Sequence, residues 1–600
     1  MSAARLCAAA ALLALAGEIV ISLSAWKAIG GALVLAGMAL MVAVAVREAA
    51  PADPVSQEPS RRQAALLLCG ILVVAFLMRR VQIGAIPWGL NNDEGIEGLI
   101  ACRFLAGEAI TPFSSIGLSR ETLFHLLLMP LFSVAGPGIA SLRLLSFLCG
   151  MAAVLLAYVA GSEMFSRRTG LITSFLMAVS SWHLLYSRTG LRNIILPVFL
   201  LGALWSFHRA LRERRLLYFA LTGIFLAAGM NSYTSFRVVP VALLAHLAVR
   251  RFLLKRPPLR WKEIAAAGIP FVALMVPQLL VAARDPAGFL ARGSYVLAQT
   301  PDASIPANLL YSLLMPAFYP ARFGVMQSRW FFGDGVSLVY AAVGRAPETA
   351  VAAALMALGM VAVAARFVRR RGEGEGMILL LYAAIVAGVG LAGPSLTRLI
   401  GLVPLLCFMG AIGLDEITLR CCGTRPVVRL AVTAGVLALA AGASVEQYFL
   451  RAGRSPKAMF YYAAPQTIMG LYAASRAPDH PVHVFASEQP EALRFLTFTR
   501  QQFVVLHDDP ATLDMARVRR ALGKQEFVLE NHRKFFPLFT TLAQEFPWAE
   551  GTVLKDALGR FDAPVAYIVS VDPAQKESTP TAPASPRPPT MGPDGAAPPS

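Results

Sequence analysis

Apolar runs of about 18–22 residues, separated by short polar turnarounds, recur along the chain as far as residue 446. A helix needs about 20 such residues to cross roughly 30 Å of hydrocarbon, and it satisfies its own backbone polar groups while doing so. None of the runs alternates residue by residue, so a membrane barrel does not fit. The pattern predicts spans near 6–24, 28–46, 64–82, 139–164, 170–187, 193–210, 216–230, 237–254, 262–283, 348–368, 375–392, 396–415 and 427–446. Two further apolar pieces, "ETLFHLLLMPLFSVAG" and "NLLYSLLMPAFYP", look too short to cross. They are expected to lie along or dip into the interface as amphipathic helices.

From about Ser455 the pattern changes. "VHVFAS", "QFVVLHD", "EFVLEN" and "VAYIVSVD" read as strands, with helical stretches "ATLDMARVRRALG" and "FFPLFTTLAQEFP" between them. Strand and helix alternating at this spacing predict a small α/β domain. The tail from about Ala574 is rich in Pro, Ala and Ser and is expected to be disordered. Four regions follow: an N-terminal hairpin with its linker (1–63), a transmembrane module (64–450) with large loops at 83–138 and 284–347, the α/β domain (455–573) and the tail (574–600). Residues 1–46 are read as a retained hairpin rather than a cleaved leader, because a second apolar run follows the first after a short break.

Composition agrees with the pattern: 56% hydrophobic, 15% charged, mean hydropathy +0.59. The net charge of +18 does not mark a nucleic-acid partner. Its basic residues are dispersed over turnarounds such as "HRALRERR", "RRFLLKRPPLRWK" and "RFVRRR", as the positive-inside bias of a polytopic chain requires. If Met1 is cytoplasmic, the turnarounds holding Arg61–Arg62, Arg167–Arg168, Arg212–Arg215, Arg250–Lys262, Arg369–Arg371 and Arg420–Arg425 all face the cytoplasm. Loops 83–138 and 284–347 and everything after Glu446 then lie outside. Seven scattered cysteines form neither a disulfide framework nor a zinc spacing.

The outer loops carry the candidate chemistry. "WGLNNDEGIEG" places Asp93, Glu94 and Glu97 just past a span, where charge is costly and is usually kept for work. The adjacent pair Asp93–Glu94 reads as a turn, with Gly95 relaxing the backbone after it and an N-cap at Asn92 or Asp93 opening the helix that follows. Arg120, Arg188, Arg192, Arg292 and Arg398 lie on the same side, against the positive-inside bias. Guanidinium groups converging on a partly buried outer site suit an anionic phosphate. A second acidic pair, Asp415–Glu416, falls at a cytoplasmic helix end and reads as a solvated cap.

An acidic pair in the first large outer loop, an interfacial helix, "LRLLSFLCGMAAVLLAYVAGSEMFSRRTGLITSFLMAVSSWHLLYSR", and later "GPSLTRLIGLVPLLCFMGAIGL" come in an order that resembles the C-type (GT-C) membrane glycosyltransferases. The branch resembled is that of the protein O-mannosyltransferases and the lipid A aminoarabinose transferases. This resemblance spans roughly residues 64–450 and rests on the order of features more than on any single motif. It implies a GT-C-like helical membrane protein of about thirteen spans with an extracytoplasmic α/β domain. It further implies inverting transfer of a sugar from a polyprenyl-phosphate donor to a lipid, polysaccharide or protein acceptor on the outer side, in a bacterial inner membrane. Asp93 would be the general base and Glu94 its neighbour in the catalytic pair. Arg120, Arg292 and Arg398 would hold the donor phosphate, and Glu97, His125, Arg188, Arg192 and Asn193 would bind substrate or acceptor. Asn193 stands where relatives often carry an acid, and "ETLF" lacks the family's usual prolines. No metal ligand set and no obligatory cofactor is expected, with a divalent cation left open. The competing readings are a flippase for lipid-linked sugars and a non-catalytic membrane scaffold. A transporter would tend to place polar or broken helices at midplane, whereas this chain puts its charges in outer loops.

Overall fold

The apolar runs fold as helices, and capping side chains fix where several of them begin. The computed structural model describes residues 2–23, 27–47, 58–117, 119–290, 294, 305–314, 347–391, 395–423, 425–476, 479–487, 490–521, 523–556, 559 and 564–578. In chain order the first helices are α1 (Ala3–Leu23), α2 (Lys27–Arg47), α3 (Arg61–Arg80), α4 (Asn92–Leu105), α5 (Leu123–Ala135) and α6 (Ile139–Met164). Then come α7 (Arg167–Val179), α8 (Ser181–Ser187), α9 (Ile195–Glu213), α10 (Leu216–Met230), α11 (Val238–Phe252) and α12 (Trp261–Arg284). The membrane part closes with α13 (Ile305–Leu314), α14 (Ala350–Arg370), α15 (Glu373–Gly390), α16 (Leu402–Cys422) and α17 (Pro426–Val445). Ser60 caps α3 reciprocally with Gln63, and Asn91 does the same for α4 with Glu94.

Among the described residues, ten helices are long and apolar enough to cross a membrane. The other three expected spans differ for visible reasons. Runs 216–230 and 237–254 hold helices of only 15 residues each. The run 170–187 is divided at Ser180, between α7 and α8. That break leaves helix-end carbonyls without intrahelical donors, and buried Arg79 supplies them, bonding Ala178 O at 2.9 Å and Met177 O at 3.3 Å. The favour is returned. Arg188, just past α8, bonds Met78 O at 2.9 Å and Arg79 O at 2.8 Å at the end of α3.

The α16 helix runs through the centre, with every residue from Leu402 to Leu414 buried. The N-terminal hairpin packs on α14 and α16, with Gly17 and Gly37 letting its two helices close on each other. Asp415 and Glu416, near the C-terminal end of α16, are not the solvated cap the sequence suggested. Asp415 binds Arg168 and Arg429, each at 2.7 Å, and buried Glu416 binds Arg366 at 2.8 Å and Arg420 at 2.6 Å. Arginines from four separate segments converge there, which sequence neighbours could not reveal.

Beyond α17 the chain continues through α18 (Pro456–Tyr461) and α19 (Ala464–Arg476) into a five-stranded sheet. Its strands are β1 (Val482–Phe485), β2 (Val504–His507), β3 (Gln525–Glu530), β4 (Glu550–Leu554) and β5 (Ala566–Val571), in the order β2-β1-β3-β5-β4. The first three are parallel; β5 and β4 add antiparallel. All four expected strands are present, and β4 was missed because it is an exposed edge strand without apolar alternation. Val482, Val484 and Val528 face α19 and α20 (Pro490–Leu496); Phe485, Phe527 and Leu529 face α22 (Phe536–Glu545). In the stretch expected to be helical at 511–523, the described residues hold a 3-10 turn at Pro510–Thr512 and the short α21 (Met515–Arg520). A last helix, α23 (Pro573–Ser578), occupies the start of the expected tail, whose remainder lies outside the described residues.

This domain docks on the membrane module through α4. Asn92 Oδ1 accepts the Glu491 N–H at 3.0 Å, and the Phe132 and Phe495 rings stack at 5.9 Å. Gly95 does not relax a turn; it lies inside α4, where a Cβ would strike the Ala492 backbone. At Gly98 a Cβ would run into the Phe495 ring. Two glycines a helical turn apart make a flat strip on which α20 rests, and burying Phe495 there is worth roughly 1.5–3 kcal/mol.

Candidate active site

Helix geometry decides which acids work together. Because α4 begins at the Asn91 cap, Asp93 and Glu97 stand one turn apart on one face, while Glu94 is rotated about 100° away. Arg120, on the returning loop, bridges that face. Its Nη2 bonds Asp93 Oδ1, its Nη1 bonds Glu97 Oε1 at 2.5 Å, and its Nε bonds Gly117 O at 3.2 Å. Arg192, in the turn between α8 and α9, reaches Glu97 Oε1 at 2.8 Å and Glu121 at 3.5 Å, and its guanidinium lies 5.1 Å from the centre of the Tyr233 ring. His125, on the first turn of α5, meets Glu97 Oε2 through Nε2 at 2.5 Å.

These groups surround a cleft of about 250 Å³ lined by Asp93, Glu97, Arg120, Arg192, Asn193, Tyr233 and Thr397, with Leu191. Asp93 is the carboxylate with access: its side chain is 39% exposed, against 1% for Glu97. Burial alone would push the Glu97 carboxyl up. Arg192, Arg120 and the His125 bond outweigh it and hold Glu97 well below the usual carboxylate range. Burial lowers the His125 imidazole despite its bond to Glu97. Burial works against the Arg120 charge as well, and Glu97 with Asp93 more than restores it. Around this site, Arg192 Nε, Asn193 Oδ1, His125 Nδ1 and Arg237 Nε are buried polar atoms without a partner among the described residues. Arg192 and Asn193 line the cleft, and an unmet buried donor or acceptor there is a place for a ligand to bond.

The structure thus sorts the expected site residues. Asp93, Glu97, Arg120, Arg192 and Asn193 line the cleft, and His125 supports it from behind. Glu94 does not share it. Fully buried, it accepts from Arg143 Nε at 3.2 Å and from the Gly190 N–H at 2.5 Å, tying α4 to α6 and to the α8–α9 turn. Arg188 is also elsewhere. Its donors are spent on Met78, Arg79 and Ile86 carbonyls, and its guanidinium lies against the rings of Tyr448 and Phe449. Arg398 opens the turn before α16, next to the cleft residue Thr397, and is not itself among the lining side chains. Arg292 lies outside the described residues.

Glu121, Thr234 and Arg237 were not expected. Glu121 is fully buried, accepts from Thr234 Oγ1 at 2.6 Å and lies 3.8 Å from Arg237 Nη2. The signal was available: Glu121 adjoins Arg120 at the head of an apolar helix, and Arg237 is one more arginine between two apolar runs. Among the described residues no group of three or more His, Cys, Asp or Glu side chains is gathered to hold a metal ion.

Residues 122–280 match the family model described as dolichyl-phosphate-mannose-protein mannosyltransferase. That match establishes the resemblance. It takes in His125, Arg192, Asn193, Tyr233 and Arg237, while Asp93 and Arg120 precede it. No curated protein matches the chain. Among solved structures, ArnT from Cupriavidus metallidurans bound to undecaprenyl phosphate is similar at 13% identity and TM-score 0.48, covering 85% of this chain and 98% of that one. The archaeal oligosaccharyltransferase AglB from Archaeoglobus fulgidus, in complex with an inhibitory peptide and a dolichol-phosphate, gives 12% identity and TM-score 0.49 over 86% of this chain and 77% of that one. The apo form of the Archaeoglobus fulgidus oligosaccharyltransferase gives 13% and 0.48, and the match covers 73% of this chain and 64% of that longer one. No residue here takes a role from these distant likenesses. The family match, carried on a helical membrane fold with a small sheet domain, supports a membrane glycosyltransferase.

Proposed function

We propose that this chain transfers a sugar, with inversion, from a polyprenyl-phosphate donor to a hydroxyl-bearing acceptor at the extracytoplasmic face of a bacterial inner membrane. The observation that carries the reading is the half-exposed Asp93 at the mouth of a cleft, gripped by the arginine that a leaving phosphate would need. In a single displacement, Asp93 takes the acceptor's proton as the acceptor oxygen attacks the anomeric carbon from the side opposite the phosphate. The bond to the phosphate oxygen breaks, and its electron pair leaves with the lipid phosphate. General-base assistance of this kind contributes about 10²–10⁴ in rate, and preorganised countercharge for the leaving group contributes further. Neither task calls for a cofactor. Asn193 Oδ1 and Arg192 Nε, buried and unpartnered, are the atoms offered to the sugar or acceptor.

The direct test is transfer from defined polyprenyl-phosphate sugars by the purified full chain and by Asp93→Asn. Loss of about 10²–10⁴ in turnover is expected; equal turnover would remove Asp93 from the mechanism. Sidedness is read separately by labelling Ser115→Cys, an exposed position of the same loop, with a membrane-impermeant maleimide in intact cells. Labelling only after the cells are broken would place the site on the wrong side.

A further inference from the structure

The charges around the described cleft cancel. Asp93, Glu97 and Glu121 face Arg120, Arg192 and Arg237, and each of these arginines already engages a carboxylate. A phosphate entering this cleft meets three guanidinium groups already paired with carboxylates, with only the buried Nε atoms of Arg192 and Arg237 unpartnered among the described residues. One pair is built to give way. The Glu97 and Glu121 carboxylates are 1% and 0% exposed, whereas Asp93 is 39% exposed and linked to Arg120 through Nη2 alone. Arg120 keeps two other anchors, Glu97 on Nη1 and Gly117 O on Nε, when Nη2 lets go. A planar guanidinium can do this because its donors form a fixed fork.

Resting on the reading above, we propose that Arg120 passes its charge from Asp93 to the donor phosphate during transfer, with Glu97 as the pivot. As the acceptor proton moves onto Asp93, that carboxylate becomes neutral and loses its hold on Nη2. In the same step the carbon–oxygen bond to phosphate breaks, and the phosphate gains one negative charge as it changes from a diester to a monoester. One unit of negative charge disappears beside Nη2 while another appears within the same cleft. The net charge around Arg120 is unchanged, and a single guanidinium serves both partners in turn. Glu97 is a positioning residue in this scheme, and it never meets the reacting atoms.

The experiment is a double-mutant cycle on binding of undecaprenyl phosphate, the product-like probe, to the full chain in detergent. Asp93→Asn mimics the protonated base and should tighten binding roughly threefold to tenfold, the range for freeing one charge-assisted bond. In an Arg120→Gln background, the same substitution should change affinity by less than about twofold. Arg120→Lys provides a second background that keeps the charge without the fork, and there the tightening should shrink. Unchanged or weaker binding by Asp93→Asn overturns the handover. So does tightening that persists without Arg120, since it would then reflect only the removal of a nearby negative charge. Loss of transfer in Asp93→Asn without the coupling keeps the enzyme and sinks the handover; coupling in a chain that transfers no sugar does the reverse.

Discussion

Two clusters of acids and arginines sit at opposite ends of the bundle around α16, and they are put to different uses. Near the C-terminal end of α16, Asp415 and Glu416 are closed over by Arg168, Arg366, Arg420 and Arg429. These pairs join α7, α14, α16 and α17, and arginine is in excess. By the other end of the helix, Asp93, Glu97 and Glu121 balance Arg120, Arg192 and Arg237, and the cluster opens on a cleft through one half-exposed carboxylate. Abundant arginine is therefore no sign of a phosphate site. What marks the cluster at the cleft is its accessible acid: the Asp93 side chain is 39% exposed, against 19% for Asp415.

The predictions test that contrast. Glu97→Ala removes a buried partner from Arg120, Arg192 and His125 at once, and breaking a buried pair in this way costs about 3–5 kcal/mol. Thermal unfolding in detergent should show it, together with lost transfer; a variant of native stability would mean that Glu97 is not the hub of the cleft. Glu416→Ala should cost a similar few kcal/mol by stranding Arg366 and Arg420, yet transfer per folded molecule should stay near wild type. A specific loss of turnover there would erase the distinction between the two ends. Gly98→Val overpacks the contact with Phe495 by about 1–3 kcal/mol, which should appear as raised protease sensitivity between the sheet domain and α17. Asp93→Asn, despite its effect on turnover, should move stability by no more than about 1 kcal/mol, because its partner is shared and the pair is half-exposed. The smallest effect concerns pH. Glu97 titrates below its unfolded value, so its stabilisation is fully present above the ordinary carboxylate range and is lost only as pH falls through that range toward the depressed value. The stability gap between wild type and Glu97→Gln should be flat from pH 8 to about 6 and narrow below about 4; a gap closing near neutrality would contradict it.

Much of the architecture could be read from the sequence because the membrane imposes length and polarity rules residue by residue. Runs such as Ile139–Met164 and Pro426–Val445 satisfy those rules on their own. The break at Ser180 could not be read, since its enabling donor, Arg79, is nearly a hundred residues away in sequence. The site was legible in part. Asp93, Arg120 and Arg192 announced themselves as charges beside the ends of apolar runs, but the pairing of Asp93 with Glu94 followed sequence adjacency, where the helix joins Asp93 to Glu97. Arg188 carried the same signal as Arg192 and went to a helix end instead.

By itself the sequence determined that this is a many-helix membrane protein ending in a small sheet domain, because hydrocarbon solvation is paid locally along the chain. Only the tertiary structure decided which charged groups meet. A buried charge is settled by whichever counter-charge the fold carries within about 4 Å of it, and that distance has no counterpart in sequence spacing.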